Sequence, residues 1–143
     1  MLAIRDIMTK IVISVRPDAT LMDAVKVLTK HHISGAPVVT ADGEVVGFIS
    51  DEHLLDVLFD RGARYAPVSG FMSDDVHTID AEDSVTTAAS LFAMYGVRRL
   101  PVLDNGRFVG VVTRRDLLAH FLRHPEPLRE PLFELIPALQ EFA

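Results

Sequence analysis

Arg98, Arg99, Arg114 and Arg115 stand at the two ends of the stretch Arg98–Asp116, in a chain of 143 residues with a formal net charge of −6. A guanidinium offers two parallel N–H donors that match a phosphate, so arginines gathered in an acidic protein point to an anion. Thr113 and Asp116 lie in the same stretch, spaced i, i+3. At a helix start that pair forms a capping box, in which hydroxyl and carboxylate satisfy each other's backbone N–H groups. The same pair suits a sugar phosphate. A carboxylate accepts from two neighbouring ribose hydroxyls, and the free N–H groups of a helix N-terminus attract phosphate. On the residues alone both readings stand. Catalysis is not visible: no nucleophile has a partnered base, and no glycine-rich phosphate loop appears. No metal site is expected either. There is no cysteine, His31 and His32 are adjacent, and His77, His120 and His124 are scattered.

A hairpin and a helix must hold these groups in place. Leu100–Leu103 and Arg107–Val112 are short apolar runs around the turn signal Asn105-Gly106, and a helix begins at Thr113. The first half of the chain contains a near copy. Thr20–Val25 aligns with Ser84–Ala89, and His32–Val39 with Gly96–Leu103, both at an offset of 64 residues. After the hairpin turn the offset is 63, as Gly47 meets Gly110 and Ser50 meets Thr113. One residue fewer in the second turn accounts for the change.

Each half reads alike. A lead-in (Asp6–Thr9; Gly70–Ser73) precedes an extended piece (Val12–Val15; Val76–Ile79). A helix follows, with the apolar stripe Leu21, Ala24, Val25, Leu28 or Val85, Ala88, Ala89, Phe92. Thr20 and Asp23 form a capping box, and Gly96 ends the second copy of the helix. Strands are expected at Ala36–Thr40 with Glu44–Ile49, turning at Asp42-Gly43, and at their counterparts. Pro37 and Pro101 are expected at strand starts, where a missing N–H is tolerated. Gly47 and Gly110 fall inside strands, where glycine persists if a ligand or backbone comes close. A second helix closes each half, through Leu54, Leu55, Leu58, Phe59 and Leu117, Leu118, Phe121, Leu122. The tail Leu128–Ala143 is too apolar for a solvated end, and Pro131 and Pro137 exclude one long helix. It is expected to cap its own domain or dock on a second subunit.

Composition bounds the rest. Hydrophobic residues make up 49% and charged residues 24%, as in a folded domain with a real core. The acidic balance argues against general nucleic-acid binding. No apolar run approaches the ~18 residues of a membrane span. Asp6 comes too early for a signal peptide, so a cytoplasmic protein is expected.

Val97-Arg98-Arg99-Leu100-Pro101-Val102 with Gly110-Val111-Val112-Thr113-Arg114-Arg115-Asp116 resembles a cystathionine β-synthase (CBS) motif. So does Ile33-Ser34-Gly35-Ala36-Pro37-Val38 with Gly47-Phe48-Ile49-Ser50-Asp51-Glu52-His53. Residues 1–123 together resemble a CBS pair, or Bateman module. The resemblance implies an α/β fold of two pseudo-two-fold-related halves, 1–64 and 70–123, each with a short sheet and two helices, ahead of the tail 124–143. It implies a regulatory module rather than an enzyme. Such a module binds AMP, ADP or ATP between its motifs, requires no cofactor, forms a homodimer and signals to an unidentified regulated protein. The family's binding carboxylate falls on Asp116 and its hydroxyl on Thr113. Val76 and Thr78 match the piece that lies along the base. Arg98, Arg99 and Arg115 are the phosphate candidates, with Leu100 and Pro101 beside them. The first half departs from this pattern: His53 replaces Asp116, Ser34-Gly35 replaces Arg98-Arg99, and Asp51-Glu52 replaces Arg114-Arg115. Ser50 and His53 are therefore expected to line a weak second cleft. The other reading is a dimerisation scaffold with no physiological nucleotide.

Overall fold

Among the described residues every α-helix starts at a hydroxyl residue. A computed structural model, which describes residues 2–10 and 12–125, places Thr20, Ser50, Ser84 and Thr113 at the N-caps of α1 (Leu21–His31), α2 (Asp51–Val57), α3 (Val85–Tyr95) and α4 (Arg114–Arg123). Each side chain accepts the N–H three residues on, which satisfies a donor the helix cannot. At α1 Asp23 returns the bond to the Thr20 N–H at 3.0 Å, and the Thr20 hydrogen bonds hold its carboxyl below the ordinary aspartate range. The tail Leu128–Ala143 lies outside the described residues.

The strands are β1 (Gly35–Val39), β2 (Val45–Ser50), β3 (Ile79–Asp80), β4 (Arg99–Asp104) and β5 (Arg107–Thr113). β1 and β2 pair antiparallel, and the other three form a sheet in the order β3-β4-β5. β3 runs parallel to β4, with Ile79 opposite Val102. Its counterpart in the first repeat is a single parallel bridge between Val15 and Val38. The fold is thus the expected α/β arrangement of two similar halves.

The turns explain the shift in repeat offset. In the first hairpin the Gly43 N–H donates to the Thr40 carbonyl and the Thr40 N–H to the Glu44 carbonyl. That loop encloses Ala41, Asp42 and Gly43, with Gly43 at φ 86°. The second turn needs only Asn105 and Gly106, at φ 51° and 79°, the two-residue geometry that matches strand twist. Pro37 and Pro101 are third in β1 and β4, one residue further in than the expected strand bounds put them. Val15 donates to the Pro37 carbonyl at 3.0 Å and accepts from the Val39 N–H at 2.8 Å. The parallel pairing therefore begins at the carbonyl of Pro37, and its nitrogen needs no partner.

The chain forms two compact units. Of the described residues, one takes those up to Val12, Thr78–Asn105 and those from Val109 on; the other takes Ile13–His77 and Gly106–Phe108. Each unit therefore receives its lead-in from the other repeat. Ile4 is fully buried in a core with Val85, Ala88, Phe92, Leu100, Val102 and Val112. Its counterpart Val68 is fully buried with Leu21, Ala24, Leu28, Val38 and Ile49. The backbone repeats the exchange: the Ile4 N–H donates to Asp83 and the Val68 N–H to Ala19, both at 2.8 Å.

The helix ends differ in one testable way. α1 ends at His32 in the left-handed region, φ 54°, where the second repeat has Gly96 at φ 65°. A side chain there costs roughly 1–2 kcal/mol. His32→Gly is expected to stabilise the protein by about 1 kcal/mol, after allowing for the looser unfolded chain. A rise of a few degrees in the melting midpoint by circular dichroism would show it; no rise would mean that His32 relaxes at no cost.

Candidate functional site

The sheet β3-β4-β5 brings the predicted residues of the second repeat to one end. β5 returns from a tight turn, so its last residue, Thr113, comes back to the start of β4. β3 is parallel to β4, so Thr78, just before β3, belongs to the same end. Arg98 and Arg99 enter β4 there, followed by buried Leu100 and Pro101, and α4 begins there with Arg114, Arg115 and Asp116. Arg114 fastens the corner. Its N–H meets the Arg98 carbonyl at 3.5 Å, and its Nε donates to the Val97 carbonyl at 3.0 Å. Sequence reasoning counted Arg114 among the cations and missed this tether. Its counterpart is the Asp51 N–H, donating to the Ser34 carbonyl at 2.8 Å.

The capping box is present. The Thr113 N–H donates to Asp116 Oδ2 at 2.8 Å, and the Asp116 N–H to Thr113 Oγ1 at 3.2 Å. Both residues are half-buried, while Arg98 and Arg115 are exposed. The box engages one carboxylate oxygen and leaves Oδ1 out of it, so capping and sugar binding are not exclusive. The cap instead fixes the rotamer in which Asp116 presents its other oxygen.

Val76, Ser50 and His53 belong to the other unit. At the start of α2 the imidazole takes the place of the carboxylate. The Ser50 N–H donates to His53 Nδ1 at 3.3 Å, and Ser50 Oγ lies 2.9 Å from the same nitrogen. Nδ1 accepts in this arrangement, so the neutral ring carries its proton on Nε2. This helix start offers a donor where Asp116 offers an acceptor. Gly35 stands where the second repeat has Arg99, and a Cβ on it would lie 2.6 Å from the ring of Phe48. The ring leaves no room for a side chain; the second repeat has the smaller Val111 in place of Phe48.

The strand glycines serve backbone rather than ligand. A Cβ on Gly110 would lie 2.7 Å from the Thr9 carbonyl oxygen and 2.9 Å from Met8 Sδ. Thr9 and Val111 exchange backbone hydrogen bonds at 2.8 and 3.0 Å. Gly47 is covered in the same way by Met72 and by the Ser73 carbonyl, 2.9 Å from its virtual Cβ. The available signal was that Met8-Thr9 and Met72-Ser73 share the repeat spacing.

Comparison with known proteins matches this layout. A family model described as CBS domain matches residues 4–60 and 68–123. A CBS domain-containing protein of Dictyostelium discoideum is 36% identical over 137 residues, covering 87% of this chain and 94% of that protein. The crystal structure of CBSX2 of Arabidopsis thaliana in complex with AMP superposes with a TM-score of 0.76 at 25% identity, covering 88% of this chain and 100% of that one. The CBS domain pair of protein MJ0100, in complex with 5-methylthioadenosine and S-adenosyl-L-methionine, gives 0.70 at 26% identity, covering 88% and 99%. Other relatives are longer. The chain spans 14% of the A-adding tRNA nucleotidyltransferase of Aquifex aeolicus, 32% identical over 117 residues, or 82% of this chain. It spans 41% of the uncharacterized protein MJ1225 of Methanocaldococcus jannaschii. Among the described residues no helix is long and apolar enough to cross a membrane.

Proposed function

Because this chain belongs to the CBS domain family, with two copies in tandem, we propose that it is a regulatory module that binds an adenine nucleotide, AMP, ADP or ATP. The site is the end of the β3-β4-β5 sheet where α4 begins. The observation that carries this reading is the Thr113–Asp116 box, with one carboxylate oxygen left over, among Thr78, Arg98, Arg99 and Arg115. Asp116 takes the ribose hydroxyls, the arginines and the N-terminus of α4 take phosphate, and Thr78 flanks the base. The site with Ser50 and His53 is weak, for it has neither the acid nor the cations. The module works by binding in the cytoplasm, with no cofactor and no turnover. A regulated protein reads it by preferring one of its states, since a ligand moves an equilibrium only through differential affinity.

Titration calorimetry with AMP, ADP, ATP and S-adenosylmethionine tests this. Micromolar binding of the phosphorylated ligands is expected, with S-adenosylmethionine weaker because its sulfonium faces arginines. Tighter binding of S-adenosylmethionine would reverse the charge argument, and formation of product would make the protein an enzyme. No heat from any of them, with an intact dimer, would favour a scaffold. One observation gives that second reading weight. Leu55 and Phe59 on and just beyond α2 are 60% and 90% exposed, and their counterparts Leu118 and Leu122 on α4 are 67% and 86% exposed.

Two i, i+4 apolar pairs at equivalent positions suit a second copy of the chain, so the module is a homodimer in this proposal. Leu118→Glu with Leu122→Glu is expected to shift sedimentation from dimer to monomer without unfolding, since both side chains are exposed. Unchanged sedimentation would remove α4 from the interface.

A further inference from the structure

His120 and His124 lie one helical turn apart at the end of α4, and the nucleotide reading uses neither. Their ring centroids are 5.0 Å apart with the planes inclined at 35°, and the His124 N–H donates to the His120 carbonyl at 2.8 Å. His124 caps α4 at φ −134° and ψ 75°, outside the helical backbone, so the observed ring separation and not helical spacing puts the two imidazoles side by side. At this separation each can turn a nitrogen toward one ion at bond lengths of about 2.0–2.1 Å. The free carbonyls of the last turn favour a cation, and Arg123 in that turn opposes one. His124 is exposed, so an ion reaches the pair from solvent.

We propose that His120 and His124 form a two-imidazole chelating site for a divalent transition-metal ion, Cu²⁺ before Ni²⁺ or Zn²⁺. The order follows the general affinity of nitrogen ligands for these ions. Among the described residues no group of three or more His, Cys, Asp or Glu side chains is placed to hold an ion, so water completes the coordination. The pair stands at the far end of α4 from Thr113 and Asp116, and is independent of nucleotide binding.

The test is calorimetric titration of the untagged 143-residue chain with Cu²⁺, then Ni²⁺ and Zn²⁺. Paramagnetic resonance of the Cu²⁺ complex is the second readout. One site is expected, with nitrogen hyperfine structure from two imidazoles. Affinity should fall at least about tenfold in His124→Ala and in His120→Gln, because the second ligand no longer binds intramolecularly. It should not change in His77→Ala. Metal-free melting curves establish that the variants fold; exposed His124 is the safer of the two. Equal binding by wild type and His124→Ala, or loss of the site in His77→Ala, overturns the proposal. Absence of nucleotide binding would leave the result unchanged.

Discussion

Asp116→Ala is expected to weaken AMP binding roughly 30- to 150-fold. A carboxylate that accepts from both ribose hydroxyls makes charge-assisted hydrogen bonds of about 1.5–3 kcal/mol each. A net loss of about 2–3 kcal/mol, after water re-solvates the sugar, corresponds to that fold-change. The substitution also removes the return bond to the Thr113 N–H. Losing part of a cap costs about 1 kcal/mol, or a few degrees in melting midpoint. The two effects separate in Asp116→Asn, whose amide oxygen still accepts from Thr113 but carries no charge. That variant should keep the wild-type midpoint and lose most of the affinity. Calorimetry and thermal melts on wild type and both variants decide the matter. If Asp116→Asn bound AMP as well as the wild type, Asp116 would be a cap alone, and this edge of the sheet would not be a nucleotide site.

Local features were the legible ones. Thr20 with Asp23, the stripe Leu21, Ala24, Leu28 and the stop at Gly96 are all written within one turn of where they act, so they survive in the structure residue for residue. The residue missing from the second turn was legible for the same reason. What was not legible depends on partners far along the chain. Nothing near Ile4 says that it will be buried beside Val85 and Phe92, and nothing near Gly110 names Thr9 as the group that must approach. Pro37 sits one residue further into β1 than expected, and the segment that pairs at its carbonyl, Val15, is more than 20 residues away. At the candidate site, Thr113 and Asp116 could be read as cap or ligand. The structure shows the cap, and shows it leaving an oxygen to spare. That His53 would keep the same box through Nδ1, or that Phe48 would cover Gly35, depends on side-chain geometry that residue types do not encode.

Gly110→Val is expected to be the most destabilising of these substitutions, by about 3 kcal/mol, with a fall of roughly 10 °C in melting midpoint. The reason is what a side chain would meet. Met8 could swing its sulfur away, but the Thr9 carbonyl, 2.7 Å from the virtual Cβ, is backbone. It cannot retreat without breaking the two hydrogen bonds to Val111. The same lead-in is anchored at Ile4, fully buried, tied by its N–H to Asp83 and accepting from the Met8 N–H, so it is strained if Thr9 moves. Gly110→Ala should show the smaller cost of a single added methyl, about 1–2 kcal/mol. Gly70→Ala, where nothing lies within 4 Å, should be nearly silent. Met8→Ala in the Gly110→Ala background distinguishes the two sources of the clash. If the carbonyl is responsible, trimming Met8 restores nothing, and hydrogen exchange at Thr9 and Val111 stays fast. Recovery of the midpoint on trimming Met8 would make the glycine a matter of side-chain room. An unchanged midpoint in Gly110→Ala would mean that the lead-in is not held against β5 at all, and that each repeat completes its own unit.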